Sequence, residues 1–177
     1  MATVEVISHT KLGSAQKSFT VSSIPATYDH LYIVGSLQSD RSNPIDSCNI
    51  KLNASASGYA KQSLEGANGG PYASHTNGAS QTEHKFLIAA TNTGYDSGAG
   101  FSSLEVWIPN YADTNFQQNY LVELSLQGNT TTANEWWQSQ DACMWDTSAA
   151  IHTFYVEADT GDFNTNSCLT VYGINGV

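Results

Sequence analysis

The chain has 177 residues, enough for one domain with a substantial core, and a formal net charge of −10 from 16 acidic and 6 basic residues. So few lysines and arginines cannot build the cationic patch that nucleic acid or an anionic bilayer demands, so both are excluded as partners. Charged residues make up only 12% of the chain, about half the usual share, which leaves Ser, Thr, Asn, Gln and Gly to form the polar surface.

The elements follow in chain order. Met1-Ala-Thr-Val-Glu-Val-Ile7 has neither a basic region nor an apolar signal stretch, and it reads as a first strand of a protein made in a cytosol. Phe19 and Val21 alternate with polar residues, and Ile24-Pro25 punctuates the chain after them. Leu31, Ile33 and Leu37, with Gly35 between them, mark a long strand. Pro25 has no N–H to give to a ladder and presets the turn into that strand, and Tyr28 and His30 stand at its start.

At its far end lies Ser39-Asp40-Arg41-Ser42, with the sole arginine of the chain. Arg41 is expected to be a structural anchor, its planar fork holding loop carbonyls or a carboxylate such as Asp40 or Asp46. Cys48, Ile50 and Leu52 form the next alternating set. Residues 54–82, rich in Ser, Gly, Ala and Asn, read as the main long loop.

Beyond it Phe86 and Ile88, then Leu104, Val106 and Ile108 with Trp107 on the other face, then Val122, Leu124 and Leu126 each predict a strand with one buried face. Asn134 to Trp145 is ambiguous in period and is assigned to a strand because tryptophan favours pleated surfaces. Ile151 to Val156 and a set with Leu169 and Val171 complete the series. Turn signals separate the strands at Asn43-Pro44, Asn68-Gly-Gly-Pro71, Thr93-Gly94, Gly98-Ala-Gly100, Pro109-Asn110 and Thr160-Gly161-Asp162. About nine or ten strands, no helical stripe and no linker predict an all-β chain, a single antiparallel sandwich or barrel over residues 1–177.

Chemistry is sparse. The five histidines are scattered, without HxH or HExxH spacing, and the three cysteines Cys48, Cys143 and Cys168 lie far apart in apolar-patterned runs, where they read as small buried hydrophobes. No metal, no cofactor and no catalytic residue is therefore assigned, and the chain is not expected to be an enzyme. Asp159 to Asn166 is read as a hairpin turn rather than a calcium loop. Asn53-Ala-Ser and Asn129-Thr-Thr match the glycosylation sequon only formally. Trp107 and Trp145 are assigned to core or cross-strand packing, while Trp136 and Trp137 are kept as candidate contact residues.

The segments Phe19-Thr-Val-Ser-Ser-Ile-Pro-Ala-Thr-Tyr28 through Arg41, Ile50 to Gly69, Phe101-Ser-Ser-Leu-Glu-Val-Trp-Ile-Pro-Asn-Tyr-Ala-Asp-Thr114 and Ser167-Cys-Leu-Thr-Val-Tyr-Gly-Ile174, in this order, resemble a family of tailed-bacteriophage virion proteins. The chain departs from the family pattern at Asn53-Ala-Ser, where an Asn-Gly-Asp-like turn is not kept. The resemblance implies an antiparallel jelly-roll-like β-sandwich, assembled as a homotrimer on the virion after synthesis in the host cytoplasm. It implies a capsid decoration (cement) protein that binds the major capsid protein, or other virion proteins, and stabilises the shell. The alternative is a tail-fibre or baseplate protein that recognises host surface glycans. The compact chain, whose first strand begins near residue 3, favours decoration over a fibre with an attachment segment.

Overall fold

The computed structural model describes residues 3–67, 70–90, 100–129 and 134–176. Within them run β1 (Thr3–Lys11), β2 (Ser18–Ser22), β3 (His30–Leu37), β4 (Ile45–Leu52), β5 (Tyr59–Ala67), β6 (Gly70–Gln81), β7 (His84–Ala89), β8 (Ser102–Pro109), β9 (Gln118–Asn129), β10 (Asn134–Trp145), β11 (Thr153–Ala158) and β12 (Cys168–Asn175). They form an antiparallel β-sandwich of jelly-roll type, one sheet ordered β1-β12-β3-β8-β9-β10-β5-β6 and the other β2-β11-β4-β7.

Alternation decides which face is buried. Phe19 and Val21 of β2, Cys48, Ile50 and Leu52 of β4, Phe86 and Ile88 of β7, and Phe154 and Val156 of β11 meet Leu31, Ile33, Leu104, Val106, Ile108, Val122, Leu124, Leu169 and Val171 from the larger sheet. These are the residues singled out by period two in the sequence. Gly35 lets Leu104 and Leu169 close over β3, since a Cβ there would stand 3.2 Å from the Leu169 side chain.

One element differs from expectation. Most of residues 54–82 is not loop but the paired strands β5 and β6. The loop is confined to a short turn after β4, where Asn53 and Ala54 both take positive φ (51° and 54°). The reason lies in the unequal sheets. Eight strands face four, so β5 lies at the overhang, and its inward positions include Lys61 and the buried Ser63 while Leu64 faces out. The usual apolar-in pattern is inverted there, and the sequence reads as polar loop. The turn signals at 68–69, 93–94 and 98–99, and Thr130-Thr131 of the second sequon, lie outside the described residues.

Candidate functional site

Arg41 sits beyond the end of β3, and its Nη1 donates to the carbonyl of Ile45 (3.3 Å) and to Asp46 Oδ1 (3.4 Å). The anchoring partner among the acids is thus Asp46. Asp46 itself is the hub of the region: its Oδ2 accepts the Ser39 hydroxyl (2.7 Å) and the Gly161 N–H (2.9 Å), and its Oδ1 accepts the Ser47 N–H (2.9 Å). Asp40 ties the same two loops together, accepting from the N–H of Asp162 at 2.7 Å. The Asp159–Asn166 segment is therefore held against residues 38–47, but it is not the expected hairpin turn: β11 and β12 lie in different sheets, and the segment crosses from one to the other.

The Arg41 side chain is 32% exposed and its contacts are long, so Arg41 reinforces this knot rather than creating it. Arg41→Lys should lower stability by about 0.5–1 kcal/mol, the range of a partly exposed ion pair. A denaturant midpoint unchanged from that of the parent would remove Arg41 from the anchor.

Pro25 and Tyr28 lie on the β2–β3 connection. The Tyr111 hydroxyl donates to the Pro25 carbonyl, so Pro25 is a fixed acceptor as well as a turn former. The Tyr28 ring covers Gly173 of β12, and its hydroxyl donates to Glu5 Oε2 of β1 (2.8 Å), which raises the phenol's pKa. Tyr28 thus pins the β1–β12 edge of the larger sheet to the loop that leads into β3.

A second polar constellation, invisible in the sequence, bridges the two sheets. His84 of β7 places Nε2 2.9 Å from Asp141 Oδ2 and Nδ1 3.0 Å from Cys143 Sγ, both on β10. All three side chains are buried. Lys61 Nζ lies 3.4 Å from Asp141 Oδ2 and donates to the Lys85 carbonyl (2.7 Å). Thiol, imidazole and carboxylate in series resemble a nucleophilic triad, but burial pushes the Cys143 thiol far up, so no thiolate is offered. The three groups also have the composition of a metal site. Sγ lies 3.0 Å from Nδ1 and 3.6 Å from Nε2, and Asp141 Oδ2 lies 2.9 Å from Nε2, so the three donor atoms stand close together around the ring. Across the two sheets the arrangement is a polar rivet, with the imidazole and the carboxylate sharing a hydrogen bond through Nε2 and the thiol packed against the ring.

Burial lowers the His84 pKa below its ordinary 6.5. For Asp141 burial acts upward, but the His84 hydrogen bond, the charges of His84 and Lys61 and the Ser63 hydroxyl outweigh it and bring the pKa below 3.8. Both groups bind protons more readily unfolded than folded. Stability should therefore be full above about pH 6.5, fall as pH drops toward the lowered His84 value, and fall again below about 3.8. Urea midpoints measured from about pH 8 to about pH 5 should slope downward, and His84→Asn should flatten the slope. The same slope in that variant would clear His84.

The larger sheet's outer face presents the other candidate. Cross-strand partners Val6, Tyr172, Tyr32, Trp107, Leu121 and Ala142 line up in one continuous row across β1, β12, β3, β8, β9 and β10. Val6 is 60% exposed, Leu121 53%, and Leu64 on the neighbouring β5 66%. A groove of about 350 Å³ lies here, lined by Gln62, Leu64, Leu121, Glu123, Gln140 and Ala142. The Tyr32 hydroxyl donates to Glu105 (2.6 Å), which lifts its pKa to about 12.

The two adjacent tryptophans of β10 part company, as a strand requires. Trp136 points outward, opposite Gln127, and is 57% exposed. Trp137 turns inward and packs against the core. Trp145 is buried beside Tyr59, and Trp107 is a half-buried member of the outer row. Cys48 and Cys143 are buried as expected, whereas Cys168 is only partly so, because it faces outward on β12.

No protein-family model matches the chain, and no curated protein matches it. A solved structure of infectious bursal disease virus Gx strain aligns over 98% of this chain and 39% of the viral one, at 11% identity and a TM-score of 0.15. Similarity at that level carries no argument.

Proposed function

We propose that the chain is a structural protein of a tailed-bacteriophage virion, a capsid decoration protein that docks as a homotrimer on the assembled shell through the larger sheet's outer face. The observation that carries this reading is the exposed apolar and aromatic row with Leu64 and Leu121 beside it. Exposed leucines set diagonally across β10 from each other are a cost for a protein that stays alone in water, and they mark a contact surface. The succession of motifs shared with phage virion proteins supports the same role. So does the burial of the thiol–imidazole–carboxylate series, which makes it cohesive rather than reactive.

A decoration protein binds the assembled shell and not free capsid subunits, so its occupancy stabilises the shell by mass action. Particles lacking it should release DNA at lower temperature than complete ones and still adsorb to cells, and its copy number should be on the scale of the major capsid protein. Heat-resistant particles that fail to attach, with a copy number on the scale of tail fibres, would overturn this reading in favour of a tail protein that binds host glycans. Trp136 is the observation that favours that second role, because an exposed indole stacks readily on a sugar ring. Under it, Trp136→Ala alone would abolish adsorption and leave particles stable.

A further inference from the structure

On the outer face of β12, β3, β8, β9, β10 and β5, the cross-strand registers place Glu105 and Glu123 directly opposite each other. Like charges so placed destabilise a sheet. Each carboxylate, among the described residues, is steadied by a neutral donor, Glu105 by the Tyr32 hydroxyl and Glu123 by Gln140 Nε2 (2.7 Å). Among the described residues of these six strands, no lysine or arginine occupies an outward position: Lys61, the one lysine there, turns inward to Asp141. The face therefore carries two opposed negative charges, set next to the groove between Leu64 and Leu121.

A second copy of the chain is a poor occupant, since it would bring the same carboxylate pair and a further net charge of −10 to the contact. We propose that this face binds a basic, apolar-anchored polypeptide segment of a partner protein, with lysine or arginine between Glu105 and Glu123 and apolar side chains in the Leu64–Leu121 groove. The partner's cation relieves the repulsion that the free protein bears, and an arginine fork spans two carboxylates more readily than an ammonium does. Apolar burial supplies affinity while the carboxylate pair fixes register. This rests on the docking role proposed above and adds the chemistry of what is docked.

Synthetic peptides of about twelve residues, long enough to cross the sheet, provide the probe: alternating Arg and Leu, alternating Ser and Leu, and alternating Glu and Leu. Calorimetric titration into the full chain should give at least about tenfold tighter binding of the Arg–Leu peptide than of the Ser–Leu peptide, and no binding of the Glu–Leu peptide. The preference should shrink as salt is raised. The double change Glu105→Gln, Glu123→Gln should erase the preference and raise the unfolding midpoint. The control pair Glu83→Gln, Glu157→Gln, on the other side of the molecule and with the same change in net charge, should retain the preference. Leu64→Ser with Leu121→Ser should weaken the Arg–Leu and Ser–Leu peptides alike. Equal binding of the Arg–Leu and Ser–Leu peptides would overturn the proposal. So would an equal loss in the control pair, which would reduce the effect to attraction toward any acidic protein. Failure of the decoration role itself would show separately, as a normal Arg–Leu preference in a chain absent from purified shells.

Discussion

Asp46→Ala should be among the most damaging single changes in the chain, lowering stability by about 3–5 kcal/mol. The carboxylate is buried and serves four donors at once: the Ser39 hydroxyl, the N–H groups of Gly161 and Ser47, and the Arg41 guanidinium. Alanine leaves the Ser39 hydroxyl and the Gly161 N–H without their acceptor, and Ser39 is itself fully buried. A buried donor that loses its acceptor costs about 1–3 kcal/mol, and the half-buried Gly161 N–H adds less, so the change should still outweigh Arg41→Lys. There is no slack for the loops to collapse into, because a Cβ on Gly161 would already stand 2.4 Å from Ser39 Oγ and 2.6 Å from the Arg41 nitrogen. A urea midpoint for Asp46→Ala close to that of Arg41→Lys would show that the knot does not depend on this carboxylate.

Gly173→Ala should also destabilise, by about 1–3 kcal/mol, through overpacking alone. A Cβ at this buried position would lie 2.4 Å from two carbons of the Tyr28 ring. The ring cannot retreat without giving up its hydrogen bond to Glu5. The test is a cycle: if the clash is with Tyr28, adding Tyr28→Ala should recover part of what Gly173→Ala loses, so that the two changes are not additive. Strict additivity would place the strain elsewhere.

Much of the architecture could be read from period two alone, and the exceptions have physical causes. β3, β8, β9 and β12 lie over the smaller sheet, so their alternation is clean and their inward residues were the ones expected. β5 was hidden because it runs out to the overhang, where the inward side chains after Tyr59 are Lys61 and Ser63 rather than Leu or Val. The rivet was hidden for another reason. Asp141 and Cys143 are two apart on one strand, a spacing that says only that they share a face, and His84 reaches them from the opposite sheet. The outer row is a property of register: Tyr32, Trp107 and Leu121 become neighbours only once β3, β8 and β9 are aligned. Arg41 was legible as an anchor because a lone arginine after a strand has few other uses, and Asp46 stood among its possible partners. That Asp46 carries more of the knot than Arg41 required its four contacts to be seen.

The position of β12 between β1 and β3 has a consequence for how the molecule is made. Thr3 pairs with Asn175, and His30 pairs with Ile174 on the other side of the same strand. While the polypeptide is being synthesised, β1 lacks its partner until β12 has left the ribosome, and β3 lacks one of its two. Joining segments so distant in the chain is slow, because the loop must close before contacts reward it. Nascent chains should therefore carry Val4 and Val6 as an open edge until β12 has emerged, and a chaperone or another nascent copy can reach them first.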